Sequence, residues 1–272
     1  MTYAASQTGR VRVAGGELEY DLVLPETSGG HPPLVFLHGW TLDRRMWSGQ
    51  TGAFPDRAVV ALDRRGCGNA SAPADLGAEA DDVVAVMDHL GFGGAVLVGM
   101  SQAGQVAADV ALAHPSRLAG LVFHGARLGP LAMDQTPDIP LAEYRDLVLS
   151  GELAAMKARW RNHPLMRPVD PVHQPSLDAM LDRYDGTDLT ANFTPRPSTN
   201  LEQLARLRIP TLIIAGDRDT PLRRQVARRL ADRLPDAAAV EIKAAGHMCN
   251  MCAPGAYNAA LRSFLDHLPA AP

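Results

Sequence analysis

Short apolar runs rich in β-branched residues recur along the chain, and most alternate with segments of helical periodicity. Nearly continuous apolar runs of this kind are typical of strands that are buried on both faces of a parallel sheet. Strands that alternate with amphipathic segments predict an α/β fold with a doubly wound, mostly parallel sheet. The six runs are residues 34–39, 58–63, 95–100, 119–125, 210–217 and 238–246.

Two parts of the chain follow other patterns. Residues 10–25, RVRVAGGELEYDLVLP, alternate between polar and apolar positions around a Gly-Gly turn, which predicts an antiparallel hairpin at one edge of the sheet. From residue 128 to 200 the strand pattern is missing and helical segments lie between proline-rich joints. We therefore expect a helical cap at 128–200 over the carboxyl edge of the sheet, inserted into a core built from 1–127 and 201–272.

Composition and charge exclude several classes of protein. The 272 residues are 46% hydrophobic and 21% charged, which is enough apolar material for a sizeable core. The net charge of −4 gives no basic excess, so no nucleic-acid partner is expected. The arginine pairs are scattered, and we interpret them as a solvated face or as local ion pairs. They are Arg44-Arg45, Arg64-Arg65, Arg223-Arg224 and Arg228-Arg229.

The sequence also carries an expectation about location. The opening stretch MTYAASQTGRVRV has no apolar segment behind a charged one, so no signal peptide is predicted. No apolar run approaches the roughly 20 residues of a membrane helix. Three cysteines do not suggest a disulfide framework. These features favour a cytoplasmic protein without a membrane partner.

A serine stands between a predicted strand and a predicted helix, in the stretch GMSQAG. A G-x-S-x-G motif in this strand–turn–helix context is typical of a nucleophilic serine on a sharp turn. The turn needs small residues two positions on either side, which Gly99 and Ala103 provide, and Gly104 lets the helix pack closely. Ser101 would lie at the helix N-terminus, where developing negative charge is stabilised. The alternative is a serine that only caps the helix.

Partners for such a serine follow later in the chain. A serine nucleophile needs a base, and the base needs an orienting acid, in the chain order serine, acid, histidine for doubly wound hydrolases. The stretch LIIAGDRDTP supplies Asp217 and Asp219, and AAGH supplies His247, each just after a late predicted strand. Active groups of such sheets gather at the carboxyl ends of strands. Ser101, one of the two aspartates and His247 are therefore the candidate triad.

Motifs in this order resemble the α/β-hydrolase fold superfamily, in the small-cap branch of esterases, enol-lactonases, cofactor-free haloperoxidases and carbon–carbon bond hydrolases. The resemblance covers nearly the whole chain outside the cap and implies an eight-stranded sheet. It rests on HGW at 38–40, LDRRGCG at 62–68, GMSQAG at 99–104, GDRD at 216–219 and AGH at 245–247.

The resemblance also assigns roles. The last residue of the G-x-x-D pattern is the triad acid, so Asp219 is expected in that role and Asp217 is not. The oxyanion hole is expected from the backbone N–H groups of Gln102 and Trp40. The Trp40 side chain either lines the acyl pocket or only packs. His38 is expected to hold its loop by hydrogen bonds, and LDRRGCG to form a structural turn.

The reaction expected from this set is acyl transfer. Serine rather than aspartate at the nucleophile position argues against haloalkane dehalogenases and epoxide hydrolases. The substrate would be a small-molecule carboxylic ester or lactone, cleaved through an acyl-enzyme without a cofactor or metal. One alternative is a carbon–carbon bond hydrolase or a perhydrolase-type haloperoxidase on the same triad. Another is a hydrolase-fold receptor with slow turnover.

The predicted cap gives only weak indications of the substrate. Its stretch KARWRNHPLM contains Trp160 and Met166, which either pack within the cap or form an apolar roof over the serine. Because aromatic residues make up only 5% of the chain, no extensive aromatic cage is expected.

The stretch AGHMCNMCAPG places Cys249 and Cys252 close to the candidate base. A zinc site would use the histidine lone pair that the serine needs. A redox C-x-x-C normally opens a helix after the first strand of a thioredoxin-like unit, whereas this one follows the last strand. We therefore interpret both cysteines as small apolar side chains beside the active site.

Overall fold

The strands form one sheet that confirms the predicted fold class. The computed structural model describes residues 6–25, 30–128, 139–194 and 201–268. Within them an eight-stranded sheet has the order β1-β2-β4-β3-β5-β6-β7-β8. The strands are β1 (Gln7–Val13), β2 (Gly16–Val23), β3 (Leu34–Leu37), β4 (Val59–Leu62), β5 (Ala95–Met100), β6 (Leu118–His124), β7 (Thr211–Gly216) and β8 (Ala237–Ile242).

Only the first two strands depart from the parallel arrangement. β2 is antiparallel to both β1 and β4, and every pair from β4 to β8 is parallel. The hairpin predicted from the alternating pattern is therefore present, with Val13 opposite Gly16 across the turn. Gly15 in that turn has a φ of +82°, a conformation that glycine adopts without strain.

Helices cover both faces of the sheet. The α-helices of the described residues are α1 (Ser48–Thr51), α2 (Glu79–His89), α3 (Ala103–Ala113), α4 (Leu141–Leu149), α5 (Leu153–Arg161), α6 (Gln174–Leu181), α7 (Thr187–Thr190), α8 (Leu201–Arg206), α9 (Pro221–Arg233), α10 (Cys249–Cys252) and α11 (Pro254–Leu265). Leu34 and Phe36 of β3 pack into one apolar cluster, and Val35 and Leu37 pack into the other. Period-two alternation across two covered faces explains why β3 is apolar at every position.

The last strand corrects one expectation. Residues 238–246 were predicted to be buried on both faces, but β8 lies at the edge of the sheet and pairs only with β7. Ala238, Ala239 and Glu241 are exposed, and only Ile242 is buried. An apolar run made largely of alanines does not distinguish an edge strand from a central one, because alanine has little side chain to bury.

The described part of the segment between β6 and β7 is helical. Residues 139–194 contain α4 to α7, whereas 129–138 and 195–200 of the predicted cap lie outside the described residues. Tyr144, Trp160 and Tyr184 from this segment belong to the same apolar cluster as Trp40 of the core. The division at 128 and 200 stays a prediction. No helix in the described ranges is long and apolar enough to cross a bilayer.

Several of the paired arginines are buried, so a solvated face is the wrong interpretation for them. Arg64 donates to both carboxylate oxygens of Glu79 at 2.6 and 3.1 Å, and Arg65 donates to both oxygens of Asp82. Arg223 is 1% exposed. Buried guanidinium groups need such partners, and the local-ion-pair alternative holds for Arg64 and Arg65.

Candidate active site

Ser101 lies in the turn between β5 and α3, with its backbone in the left-handed region at φ +55°. This region is strained for a residue with a Cβ, and the surrounding structure must hold it. The Ser101 N–H donates to the carbonyl of His124 at 2.8 Å, and the Ser101 carbonyl accepts from the Arg127 N–H at 2.9 Å. Both partners follow or end β6, so the neighbouring strand fixes the turn.

The positions around the serine need small residues, because there is no room for larger side chains. A Cβ on Gly99 would lie 2.5 Å from the backbone oxygen of Ala103. A Cβ on Gly104 would lie 2.5 Å from the Cβ of Ala126. The predicted close packing at Gly104 therefore occurs against the loop that follows β6.

His247 and Asp219 are in direct contact. His247 Nδ1 lies 2.8 Å from Asp219 Oδ2, and both side chains are nearly inaccessible. Asp219 Oδ1 accepts the Thr220 N–H at 2.7 Å. Burial opposes ionisation of Asp219, but the charge and hydrogen bond of His247 outweigh it, so the pKa of Asp219 is lowered. Asp217 instead accepts the Ala245 N–H at 3.3 Å and does not contact the ring.

Gly125 explains how the histidine ring fits beside the serine turn. Its φ is +50°, and an added Cβ would lie 2.9 Å from both Nδ1 and Cε1 of His247. The ring therefore packs on bare backbone. This glycine was not predicted from the sequence, although a glycine directly after a buried strand is a signal of such close packing.

His124 packs against the backbone of the loop that carries His247. The ring is fully buried, and Nε2 lies 3.0 Å from the backbone oxygen of His247 and 3.1 Å from Cys249 Sγ. Burial, with the charge of His247, lowers the pKa of His124 to about 3. The neutral ring can therefore donate its Nε2–H to the His247 carbonyl and hold that segment of backbone. His124 was not predicted from the sequence, although a histidine at the end of an apolar strand is a signal for such a buried support.

The cysteines make contacts beyond simple filling of space. Cys249 is buried against His124, and Cys252 accepts from the backbone N–H groups of Val169 and Asp170. Burial raises the pKa of both thiols. Among the described residues, no group of three histidine, cysteine or acidic side chains is arranged to hold a metal ion.

Residues 38–40 approach the serine from the end of β3. His38 Nε2 accepts the Arg64 N–H at 3.0 Å, and His38 Nδ1 lies 2.8 Å from the Gly39 carbonyl, to which it can donate. Burial lowers the pKa of His38 to about 3, so the ring is neutral and holds its loop as expected. A Cβ on Gly39 would lie 3.4 Å from Ser101 Cβ, which shows how closely the loop approaches.

Arg64 joins this loop to the residue after the serine. Its guanidinium donates to the His38 carbonyl at 3.0 Å and to Gln102 Oε1 at 3.1 Å. The LDRRGCG segment therefore positions both backbone stretches that were expected to supply the oxyanion hole.

The Trp40 side chain does both things that the sequence left open. It lines the cavity that contains Ser101, and it packs against Trp160 with ring centroids 4.8 Å apart. The Tyr144 ring stacks on Trp40 with ring centroids 6.2 Å apart, and the Tyr184 ring meets Trp40 edge-on at 5.8 Å between centroids. Four aromatic rings, Trp40 included, therefore meet here, and of these Trp40 and Trp160 line the cavity. Overall composition cannot show where a few rings come together.

Two indole hydrogen bonds connect α5 and α7 to the loop after β3. Trp40 Nε1–H donates to Asp188 Oδ2 at 2.7 Å, and Trp160 Nε1–H donates to Thr41 Oγ1 at 2.7 Å. The Tyr184 hydroxyl donates to the other oxygen of Asp188. Burial raises the pKa of Asp188 despite these donors. No pattern in the sequence indicates that Asp188 is buried here.

Ser101 and His247 line one cavity of about 30 Å³. Trp40 and Gln102 from the expected oxyanion hole also line it, as do the weaker candidates Trp160 and Met166. The structure therefore brings every candidate site residue to one place, with Asp219 behind His247.

The family follows from comparison with known proteins. The sequence matches the family model described as alpha/beta hydrolase fold over residues 32–254. The chain belongs to the α/β-hydrolase fold family.

Individual relatives of this α/β-hydrolase are enzymes by name. "Putative carbamate hydrolase RutD" from Caulobacter sp. (strain K31) is 31% identical over 81% of this chain and 85% of its own length. The solved structure titled "Est816 as an N-Acyl homoserine lactone degrading enzyme" is 27% identical with a TM-score of 0.75, covering 94% of this chain and 100% of that chain. A thermophilic esterase from Thermogutta terrifontis is 26% identical with a TM-score of 0.76, covering 97% and 98%. The chain is thus an α/β-hydrolase enzyme.

Two cavity residues of the α/β-hydrolase were missed from the sequence. Arg127 and Arg223 both line the cavity that Ser101 and His247 share. Arg223 belongs to an arginine-rich helix whose pattern resembles a solvated face, and Arg127 is a lone charge after a strand. Neither pattern indicates that a guanidinium reaches the candidate active site.

Proposed function

We propose that this α/β-hydrolase cleaves a carboxylic ester or lactone through an acyl-enzyme, with Ser101 as nucleophile, His247 as base and Asp219 as orienting acid. One observation carries the proposal. Ser101 is held in a strained turn at a cavity that His247 also lines, while Asp219 occupies Nδ1 of that histidine. Strain of this kind persists only where the surroundings impose it and is concentrated at active sites.

The contact between His247 and Asp219 sets the tautomer that the reaction needs. With Nδ1–H donated to the carboxylate, Nε2 is the nitrogen left with a lone pair to take the Ser101 proton. The lowered pKa of Asp219 keeps the carboxylate ionised, so it stabilises the imidazolium that forms.

The proposed steps follow from these roles. Ser101 Oγ attacks the carbonyl carbon as His247 accepts its proton, and the carbonyl oxygen becomes an oxyanion. The backbone N–H groups of Gln102 and Trp40 stabilise that oxyanion. The intermediate expels the alcohol, which His247 protonates. Water, deprotonated by His247, then attacks the acyl carbon, and the bond from that carbon to Ser101 Oγ breaks as His247 returns the proton to Oγ and the acid is released.

The close approach of Gly39 to Ser101 supports the oxyanion assignment. The loop that carries the Trp40 N–H passes beside the serine, and Arg64 bonds both to that loop and to the Gln102 side chain. Donors that are fixed before the reaction require no reorganisation when charge develops, which is how an oxyanion hole accelerates acyl transfer.

The comparisons and the apolar lining of the cavity support acyl substrates. Relatives named for lactone degradation and esterase activity share the fold at 26–27% identity, and the cavity of about 30 Å³ is lined mainly by apolar side chains such as Met100, Leu165 and Met166. The relative that is 31% identical is named as a putative carbamate hydrolase, so carbamates are a third class of carbonyl substrate to test. Carbamates present the same electrophilic carbonyl to a serine.

The test is Ser101→Ala, assayed on a panel of short p-nitrophenyl esters, lactones and carbamates. We expect the variant to lose at least about 10³-fold in kcat, because the oxyanion hole alone retains only part of the catalysis. Ser150→Ala at the exposed end of α4 is the matched control and should retain activity. A serine-directed phosphonate should label Ser101, as judged by peptide mass spectrometry. Undiminished hydrolysis by Ser101→Ala, or labelling elsewhere, would overturn the proposal.

A further inference from the structure

The charge lining the candidate active site has one sign. Arg127 and Arg223 line the same cavity as Ser101 and His247, and no aspartate or glutamate is among the described residues that line it. Asp219 lies behind His247 and is engaged by that ring. A cavity walled by cations in a low-dielectric surrounding attracts an anionic ligand group.

Arg127 is placed to meet a ligand. It follows β6 by three residues, and its backbone N–H donates to the Ser101 carbonyl at 2.9 Å, so its Cα is fixed close to the nucleophile. Its side chain is half-buried, and within the described ranges its guanidinium has neither a hydrogen bond nor an ion pair. The buried guanidinium of Arg64, by contrast, is fully engaged by Glu79, by the His38 carbonyl and by Gln102.

Arg223 contributes a fixed second charge. It lies in the first turn of α9, is 1% exposed, and stands close enough to Asp219 for its charge to lower the pKa of that carboxyl. The single negative charge of Asp219 acts on both Arg223 and His247. It does not offset both arginine charges, so the wall of the cavity is positive overall.

We propose that the substrate of this hydrolase carries a carboxylate, which the Arg127 guanidinium binds in the active-site cavity with Arg223 adding to the attraction. The proposal rests on the ester or lactone hydrolysis proposed above and names the class of substrate. The class is therefore monoesters of dicarboxylic acids, or lactones that bear a carboxylate, with the reacting carbonyl at Ser101 and the carboxylate at Arg127. A planar guanidinium is suited to paired hydrogen bonds with a carboxylate.

The kinetic test compares two esters of almost equal shape. Monophenyl succinate carries a carboxylate where phenyl levulinate carries a neutral acetyl group. We expect wild-type kcat/KM to be about 10- to 100-fold higher for the succinate, mostly through KM, since hydrogen bonds to charged groups are worth that much. Raising NaCl from 50 to 500 mM should reduce this ratio. A second pair with the carboxylate on the alcohol side shows which half of the substrate Arg127 meets.

Variants assign the effect to the residue. Arg127→Met should lower kcat/KM far more for monophenyl succinate than for phenyl levulinate and so remove the preference for succinate. Arg127→Lys should restore part of that preference. Arg233→Met, on the exposed end of α9, is the matched control and should leave the preference unchanged. If Arg127→Met does not fold, as judged by its melting curve, the wild-type ratio still decides the question. A ratio near one, or equal loss on both esters in Arg127→Met, would overturn the proposal.

A binding measurement separates this proposal from the proposed chemistry. Calorimetric titration of Ser101→Ala with monophenyl succinate, and the same titration of the Ser101→Ala/Arg127→Met double variant, measures carboxylate recognition without turnover. Binding that depends on Arg127 supports the subsite even if Ser101 proves not to be the nucleophile. Equal affinity in both proteins would refute the subsite even if Ser101-dependent hydrolysis is found.

Discussion

The indole of Trp40 donates its Nε1–H to Asp188 Oδ2 at 2.7 Å, although 148 residues separate the two in the chain. Trp40 belongs to the loop beside Ser101, and Asp188 belongs to α7 in the segment between β6 and β7. In a second bond the donor lies on the helical segment instead: the Trp160 indole donates to Thr41 of the same loop. The helical segment and the proposed oxyanion loop are therefore held together by two indole hydrogen bonds.

We expect Trp40→Phe and Asp188→Asn each to lower kcat about 5- to 30-fold with little change in KM. Each variant loosens the backbone that carries the proposed Trp40 donor, and loss of an entire oxyanion donor costs about 10²–10³. Stopped-flow or steady-state kinetics on p-nitrophenyl acetate would measure this. In a double-mutant cycle the two effects should be strongly non-additive. Asp182→Asn, in an exposed ion pair of the same segment, serves as control, and additive effects would show that the bond does not act on catalysis.

Replacing the orienting acid should separate two neighbouring aspartates. Asp219→Asn is expected to lower kcat by about 10³–10⁴, because the amide no longer selects the required histidine tautomer. Asp217→Asn should stay within about 3-fold, because Asp217 does not contact the histidine ring and the asparagine amide oxygen can still accept the Ala245 N–H. The measurement is kcat at pH 7 to 8 with folding checked by circular dichroism. Similar losses in both variants would contradict the assignment of Asp219.

Gly125 provides a steric probe of the histidine. In Gly125→Ala the new methyl would meet His247 at 2.9 Å, so we expect at least a 30-fold loss of activity in addition to backbone strain. Gly91→Ala is the matched control, since Gly91 has a φ of +71° and nothing within 4 Å of an added Cβ. It should cost about 1–2 kcal/mol of stability from left-handed backbone alone and leave kcat intact. Equal effects on kcat would mean that the clash at His247 does not matter.

The buried histidines predict how stability depends on pH. The pKa values of His38 and His124 fall from 6.5 to about 3 on burial, so between these values the unfolded chain binds more protons than the folded one. Their contribution to stability is complete above about pH 6.5 and is lost as the pH falls toward 3. His124→Gln should reduce the slope of unfolding free energy between pH 4 and 6 by about 1.4 kcal/mol per pH unit, measured by urea titration. An unchanged slope would show that His124 is already charged in the folded protein.

The thiols near the candidate active site should be dispensable for the reaction. Cys249→Ala and Cys252→Ala are expected to retain most hydrolytic activity, because neither sulfur takes part in the proposed steps. Since burial raises the pKa of both thiols, alkylation by iodoacetamide at pH 7.5 should be slow, and slower at the fully buried Cys249. Loss of hydrolysis in either alanine variant would assign that cysteine a role beyond packing.

The sequence by itself determined the sheet and the order of its motifs. Apolar runs separated by amphipathic segments allow few arrangements other than a covered parallel sheet, and six predicted runs correspond to β3 to β8. Carboxyl ends of parallel strands share one edge, so Ser101, Asp219 and His247 could be expected to converge from their positions alone. Periodicity did not show that β8 is an edge strand, because its alanines fit either position.

Only the tertiary structure decided which side chains from distant segments meet around the serine. Asp188 and the tyrosines near Trp40 lie in short helices whose orientation depends on packing against the core, and local periodicity does not encode it. Arg127 and Arg223 resemble ordinary surface charges in the sequence, since a pattern of residues gives no measure of burial for a long side chain. The reason is physical: strand and helix patterns are set by neighbours in the chain, whereas the charge and shape of a cavity are set by neighbours in space.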